Sequence, residues 1–192
     1  MARYGISHLE PLISGSLESD PVLYVFELEK LLYKGKTGWR HVDEVWPRLY
    51  LGDQEIAANR GELIQLRITH ILNATHSRWR GAEGYEGMNI SYMGIDAQDS
   101  PTFDMSVHFY TAADFIHNAL RDKGGKILVH CAVGVSRSAT LVLAYLMIHH
   151  DMTLVDAITT VKDRRGIIPN RGFLRQLINL DNTLKRNRIL YK

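Results

Sequence analysis

The spacing of apolar positions changes repeatedly along the chain, and each change marks an element. Over residues 22–33, Val25, Leu28, Leu31 and Leu32 recur at helical intervals with Glu27 and Lys30 on the other side, which predicts an amphipathic helix ended by the Gly35 to Gly38 stretch. Val42 to Trp46 and Leu49 to Leu51 read as paired short strands broken at Pro47. Asp53 is placed to cap a short helix over 54–58, and residues 60–66 read as a second. The β-rich run from Ile68 to Asn73 predicts a central strand, and the alternation from Ile90 to Ile95 another. From Asp104 to Arg121 an apolar line passes through Met105, Phe109, Ala112, Ile116 and Leu120, a long amphipathic helix with Asp104 as its N-cap.

Further on, the short apolar run Ile127-Leu128-Val129 follows Gly124-Gly125 and predicts a buried strand. Residues 138–150 are apolar nearly all round, as a buried central helix requires. Thr153 precedes a helix marked by Leu154, Ala157, Ile158 and Val161, and Phe173, Leu174, Leu177, Leu180 and Leu184 mark the last. Its basic end, Lys185 to Arg188, suits a solvated helix C-terminus. Residues 1–20 show no periodicity and include Gly5, Pro11 and Gly15, so a flexible tail is expected ahead of a single domain over 21–192.

Composition narrows the class. At 192 residues and 45% hydrophobic, the chain can bury a core of its own. A formal charge of +2 without a basic stripe does not point to nucleic acid, and it leaves acidic phosphoproteins open as partners. The single cysteine excludes an internal disulfide and fits a reducing compartment. No apolar run reaches membrane-spanning length, and the opening MARYGISHLE lacks the apolar centre of a signal peptide, so a soluble intracellular protein of cytoplasm or nucleus is expected. Of nine histidines none falls in a ligand motif; His149 and His150 are neighbours on one predicted helix. Such neighbours point about 100° apart. No metal or cofactor is implied.

Chemistry gathers at 126–143, KILVHCAVGVSRSATLVL. A strand ending at His130, the lone Cys131, Gly134, Arg137 and then a helix make a strand-loop-helix anion cradle. The loop amides can turn inward because Gly134 permits backbone conformations that other residues resist. The helix beginning near Ser136 adds its unsatisfied N–H groups and the positive end of its dipole. A thiol in such surroundings is expected to act as a thiolate nucleophile. Arg137 offers a charged fork for two oxygens of a phosphoryl group, and Ser138 can donate to the sulfur. His130 is expected to order the loop by bonding its backbone. A phosphate ester also needs an acid for its leaving group. Asp96, Asp99 and Asp104 lie close together in and after the loop Asp96 to Pro101, and the residues alone do not separate them.

The string His130-Cys131-Ala132-Val133-Gly134-Val135-Ser136-Arg137-Ser138 resembles the signature of cysteine-dependent protein phosphatases, in their small dual-specificity branch. VDEVWPRLYLGD at 42–53, THILNATHSRWRG at 69–81, DSPTFDMS at 99–106 and IIPNRGFLRQL at 167–177 are similar to the atypical dual-specificity phosphatases, over nearly the whole chain. The resemblance implies an α/β fold, a central mixed, mostly parallel twisted sheet of about five strands flanked by about six helices. It implies hydrolysis of phosphotyrosine, phosphoserine and phosphothreonine in proteins through a phosphocysteine, without cofactor. Cys131 would be the nucleophile, and Arg137 with His130, Ala132, Val133, Gly134, Val135 and Ser136 would form the phosphate site. Asp99, 32 residues before Cys131, takes the role of acid. Ser138 would stabilise the thiolate, Asn170 steady the phosphate loop, and Arg165 meet a second negative group on substrate.

Trp79, Arg80, Gly81, Gly84, Tyr85 and Gly87 are expected at the rim or in a plain surface loop. The neutral lining Ala132, Val133 and Val135 favours phosphorylated proteins over phosphoinositides, with mitogen-activated protein kinases among the candidates and a monomer or weak homodimer as the working form. A phosphoprotein-binding scaffold without turnover is the alternative. A rhodanese-type sulfur transferase is disfavoured by the six-residue offset from cysteine to arginine and by Ser138.

Overall fold

The computed structural model describes residues 21–35, 40–77 and 81–190. The expected tail over 1–20 and the rim residues Trp79 and Arg80 lie outside these. Five strands, β1 (Val42–Trp46), β2 (Leu49–Gly52), β3 (His70–Asn73), β4 (Ser91–Gly94) and β5 (Ile127–His130), form one sheet in the order β1-β2-β5-β3-β4. Only β1 runs antiparallel to its neighbour; β2, β3, β4 and β5 are mutually parallel. The described residues carry seven α-helices against the six or so expected: α1 (Pro21–Tyr33), α2 (Gln54–Ala58), α3 (Arg60–Leu66), α4 (Phe109–Arg121), α5 (Arg137–His149), α6 (Leu154–Lys162) and α7 (Arg171–Leu190).

The apolar runs are continuous where both sides of the sheet are covered. In β5 every residue is buried; Ile127 and Val129 face the larger apolar layer built with α1, α4, α5, α6 and α7, while Leu128 faces a smaller one with Ile56 and Leu63 of α2 and α3. In β3, Leu72 and Ile71 divide in the same way. Opposite faces of successive residues are what a pleated strand provides. Helix α5 is buried from Ser138 through Met147, as its all-round apolar character demands.

The β1–β2 turn at Pro47 places Arg48 at φ 64, and the Arg48 guanidinium donates to Leu120 O, Asp122 O and Gly125 O at 2.7, 2.7 and 2.9 Å. That tie fixes the hairpin to the α4–β5 connection. Asp53 caps α2 as expected, accepting from the Glu55 and Ile56 amides at 2.9 and 3.1 Å. The expected helix start at Asp104 is corrected: a 3₁₀ turn covers Ser106–His108 and α4 begins at Phe109. Gln176 of α7 explains the shift, because its Oε1 accepts from the Met105 and Ser106 amides at 2.8 and 2.9 Å and removes their need for a helical cap. Asp104 still accepts from Ser106 N, at 3.0 Å.

Gly52, His130, Asn73 and Gly94 stand in register at the carboxyl ends of β2, β5, β3 and β4. The segments that follow them therefore open along one edge of the sheet, where α/β proteins assemble their sites.

Candidate active site

Between β5 and α5 the chain folds around a point that its own amides face. Each carbonyl from Cys131 to Ser136 accepts a hydrogen bond from outside the loop. Cys131 O is met by His130 Nδ1 at 3.3 Å, Ala132 O by Gln54 N at 3.1 Å, and Val133 O by Arg165 NH2 at 3.2 Å. Gly134 O is met by Arg165 Nε at 2.9 Å, Val135 O by Ile168 N at 2.8 Å, and Ser136 O by Thr140 N at 2.9 Å. In a planar trans peptide the N–H points opposite to the C=O, so carbonyls held outward leave the amides turned inward. Gly134 sits at φ +78, where a Cβ would run into Gly52 O and the Arg165 guanidinium, so the turn needs glycine.

Cys131 lies at the centre of this ring. Its Sγ accepts from Gly134 N at 3.2 Å and from Ser138 Oγ at 3.1 Å, and the residue is only 3% exposed. Arg137, the first residue of α5, donates through NH1 to Thr75 Oγ1 and Ala97 O, both at 3.1 Å, which fixes its side chain across the mouth of the loop. Its Nε is buried without a partner among the described residues. A buried donor in that state calls for an acceptor. Burial drives the His130 imidazole down to a pKa of about 4, so the ring is neutral near neutral pH and orders the loop through the Cys131 carbonyl.

Of the three candidate acids, only Asp99 bonds the signature loop among the described residues. Its Oδ1 accepts from Ser136 Oγ at 2.7 Å and from Asn170 Nδ2 at 2.9 Å, while Asn170 N donates to Ser136 Oγ at 3.1 Å. Asn170 also accepts from Phe173 N at 2.9 Å at the start of α7. Close packing supports the junction, since a Cβ on Gly172 would overlap Pro101 O. Asn170 therefore ties the segment carrying Asp99 to the loop that follows Cys131.

Arg165 departs from expectation. It is 1% exposed and donates to Val133 O, Gly134 O, Arg40 O and, at 2.9 Å, to Asp43 Oδ2, so it props the loop from behind and does not face substrate. Gly81, Gly84 and Tyr85 line a cavity beside the loop, as the rim reading anticipated in part. Thr75 and Gln54 were not singled out from the sequence; both follow strands that run to the same edge, β3 and β2, which is the one signal for them. Among the described residues no three His, Cys, Asp or Glu side chains are grouped to hold a metal ion, and no helix is long and apolar enough to cross a membrane.

Comparison with known proteins agrees with this geometry. Residues 49–183 match the family model described as dual specificity phosphatase, catalytic domain. The chain is 69% identical over 194 residues to dual specificity protein phosphatase 26 of Rattus norvegicus, covering 97% of this chain and 92% of that one. It is 71% identical over 167 residues to the Homo sapiens protein of the same name, covering 86% and 79%. The crystal structure of human DUSP28 superposes with a TM-score of 0.69 at 27% identity, over 79% of this chain and 99% of that one. With an inward-facing amide ring about a buried cysteine and a match of this extent, the chain belongs to the dual-specificity protein phosphatases.

Proposed function

We propose that the reaction runs through a phosphocysteine on Cys131 and that the residues around it divide the work as follows. The phosphoryl group of a phosphorylated protein enters the ring of loop amides from Ala132 to Arg137, and Arg137 Nε supplies the charged donor that closes the ring. Cys131 Sγ attacks phosphorus in line; an S–P bond forms as the P–O bond to the substrate breaks. Asp99 gives its proton to the departing phenol or alcohol oxygen, and the amides and Arg137 hold the equatorial oxygens throughout. In the second step Asp99, now a carboxylate, takes a proton from water as the water attacks phosphorus. Cys131 leaves as a thiolate steadied by Ser138 Oγ and Gly134 N, and inorganic phosphate is released.

The observation that carries this reading is the run of six outward carbonyls, Cys131 to Ser136, around a sulfur that already accepts two hydrogen bonds. A site of that form fits a tetrahedral dianion. The neutral Ala132, Val133 and Val135 favour phosphorylated proteins as substrates, mitogen-activated protein kinases among them. A signalling role in cytoplasm or nucleus, one catalytic domain over 21–192, and a monomer or weak homodimer accord with this.

The test is phosphate release from p-nitrophenyl phosphate by the full chain and by Cys131→Ser. Turnover by the first and none by the second is expected. Uncatalysed phosphate-monoester hydrolysis is among the slowest reactions known, with enzymatic accelerations up to about 10²¹, so loss of the nucleophile is near total. A wild-type chain inert toward aryl phosphates overturns the reading in favour of a phosphoprotein-binding scaffold.

A further inference from the structure

A concavity of about 510 Å³ adjoins the catalytic loop on the side of α2 and α3. It shares three residues with the catalytic centre: Gln54, whose amide meets Ala132 O, Thr75, whose hydroxyl takes Arg137 NH1, and His130, which precedes the nucleophile. Its walls come from Glu55 of α2, Arg60 of α3, and Glu83 and Tyr85 of a 3₁₀ turn at Ala82–Tyr85. A side chain next to a bound phosphoresidue would reach this space without passing over the loop.

Three of the side-chain donors that line the cavity among the described residues are already engaged. Arg60 bridges Gly84 O and Glu86 O at 2.8 and 2.9 Å, Tyr85 donates to Ala57 O at 2.9 Å, and Asn73 Nδ2 donates to Tyr92 OH at 3.0 Å. The charged groups left over accept. The Glu55 carboxylate has no hydrogen-bond or ion-pair partner among the described residues. The Glu83 carboxylate takes the Gly81 amide at 2.9 Å through one oxygen, is held below the usual carboxylate range by its backbone hydrogen bonds, and retains acceptor capacity.

His130 is the third acceptor. Its Nδ1 faces the Cys131 carbonyl at 3.3 Å, and a carbonyl only accepts, so Nδ1 carries the ring hydrogen. In the neutral ring Nε2 is then a lone pair, buried and without a partner among the described residues. A buried acceptor in that state calls for a donor. Among the described residues that line the cavity, two carboxylates and one imidazole lone pair outweigh the Arg60 charge, which two carbonyls already share.

We propose that this cavity is a subsite for a basic side chain, arginine or lysine, flanking the phosphorylated residue of the protein substrate, with Glu55 and Glu83 as its charged walls. The proposal rests on the phosphoprotein reading above and names the sequence context that the same site prefers. The loop itself supplies no such preference, because Ala132, Val133 and Val135 are neutral.

The experiment scans a phosphotyrosine peptide with single arginine-for-glutamine changes at each neighbouring position and measures binding to the Cys131→Ser chain by fluorescence anisotropy. A partly exposed ion pair is worth up to about 1 kcal/mol, so arginine at the favoured position should tighten Kd by about fivefold, less at high salt. Glu55→Gln with Glu83→Gln, made in the same background, should abolish the preference, and Glu55→Gln alone should reduce it. In the catalytically intact chain the paired substitution should leave kcat/KM for p-nitrophenyl phosphate unchanged. A flat arginine scan, or a preference that survives both substitutions in a chain whose thermal melting is unaltered, overturns the subsite. Because the binding measurement needs no turnover, a wild-type chain inert toward aryl phosphates would overturn the phosphatase reading while this measurement still decided the subsite.

Discussion

Replacing Arg165 with alanine should damage the phosphate loop without touching a substrate atom. The guanidinium is 1% exposed and holds the Val133, Gly134 and Arg40 carbonyls together with the Asp43 carboxylate, at 2.7 to 3.2 Å. Removing one partner of a buried ion pair costs about 3–5 kcal/mol. The Asp43 side chain is 12% exposed and can recover some hydration, which moves the expected loss to the low end, about 3 kcal/mol. Against a typical domain stability of about 5–15 kcal/mol that is a large fraction, so the variant should remain folded but marginal. Urea denaturation followed by circular dichroism should show the midpoint falling by about 1.5 M at unchanged slope, taking a slope of about 2 kcal/mol/M.

The kinetic signature separates this role from substrate contact. With the Val133 and Gly134 carbonyls released, the loop amides lose their fixed direction, and kcat/KM for p-nitrophenyl phosphate should drop at least about tenfold, equivalent to about 1.4 kcal/mol of lost transition-state binding. Arg165→Lys keeps the charge but has no planar fork for four acceptors, and it should fall between wild type and alanine. An Arg165→Ala chain of unchanged stability and aryl-phosphate turnover, impaired only on multiply phosphorylated peptides, would refute the argument and restore Arg165 as a substrate contact.

Three further outcomes follow from the same geometry. Asp99→Asn keeps an oxygen for Ser136 and Asn170 but has no proton to give, so kcat on phosphopeptides should fall by about 10² to 10⁴ in steady-state assays while binding persists; a larger effect from Asp96→Asn would transfer the assignment. Gly134→Ala forces a side chain into φ +78 against Gly52 O; left-handed strain alone is worth about 1–2 kcal/mol, so a lowered melting temperature and lost turnover are expected, and an active, equally stable variant would contradict the loop geometry. His130 has a folded pKa of about 4 against an ordinary value of 6.5, so between those limits the unfolded chain binds the extra proton. Its contribution to stability is complete above the upper limit, is lost as pH falls toward the lower one, and amounts to up to about 3 kcal/mol. His130→Gln should flatten that part of the stability-against-pH curve, and parallel curves for the two chains would disprove it.

Much of this molecule is legible from spacing alone, because its signals are local. The apolar triplet of β5, the glycine in the following loop and the mostly apolar α5 lie within 23 consecutive residues, 127–149, and they fold into the cradle they announce. Asp53 caps α2 through its own neighbours. Long-range partners are different. The burial of Arg165 depends on carbonyls up to 125 positions away, and nothing in its immediate neighbours distinguishes it from a solvated arginine. The bond from Ser136 to Asp99 spans 37 positions, and it alone among described contacts to the three aspartates reaches the signature loop; from the residues only their proximity was visible. The late start of α4 likewise reflects Gln176, some 70 positions on.

The mooring of Asp99 on Ser136 bears on timing. Where an acid rides on a swinging lid, opening and closing over microseconds to milliseconds can set turnover. Here the Ser136 hydroxyl, in the loop that follows Cys131, already holds Asp99, and Asn170 holds the same carboxylate. With Asp99 as the acid, as proposed above, the reacting groups would belong to one pre-assembled body, and the slow event in a cycle should be the cleavage of a bond. Turnover should track the basicity of the leaving oxygen and stay indifferent to solvent viscosity.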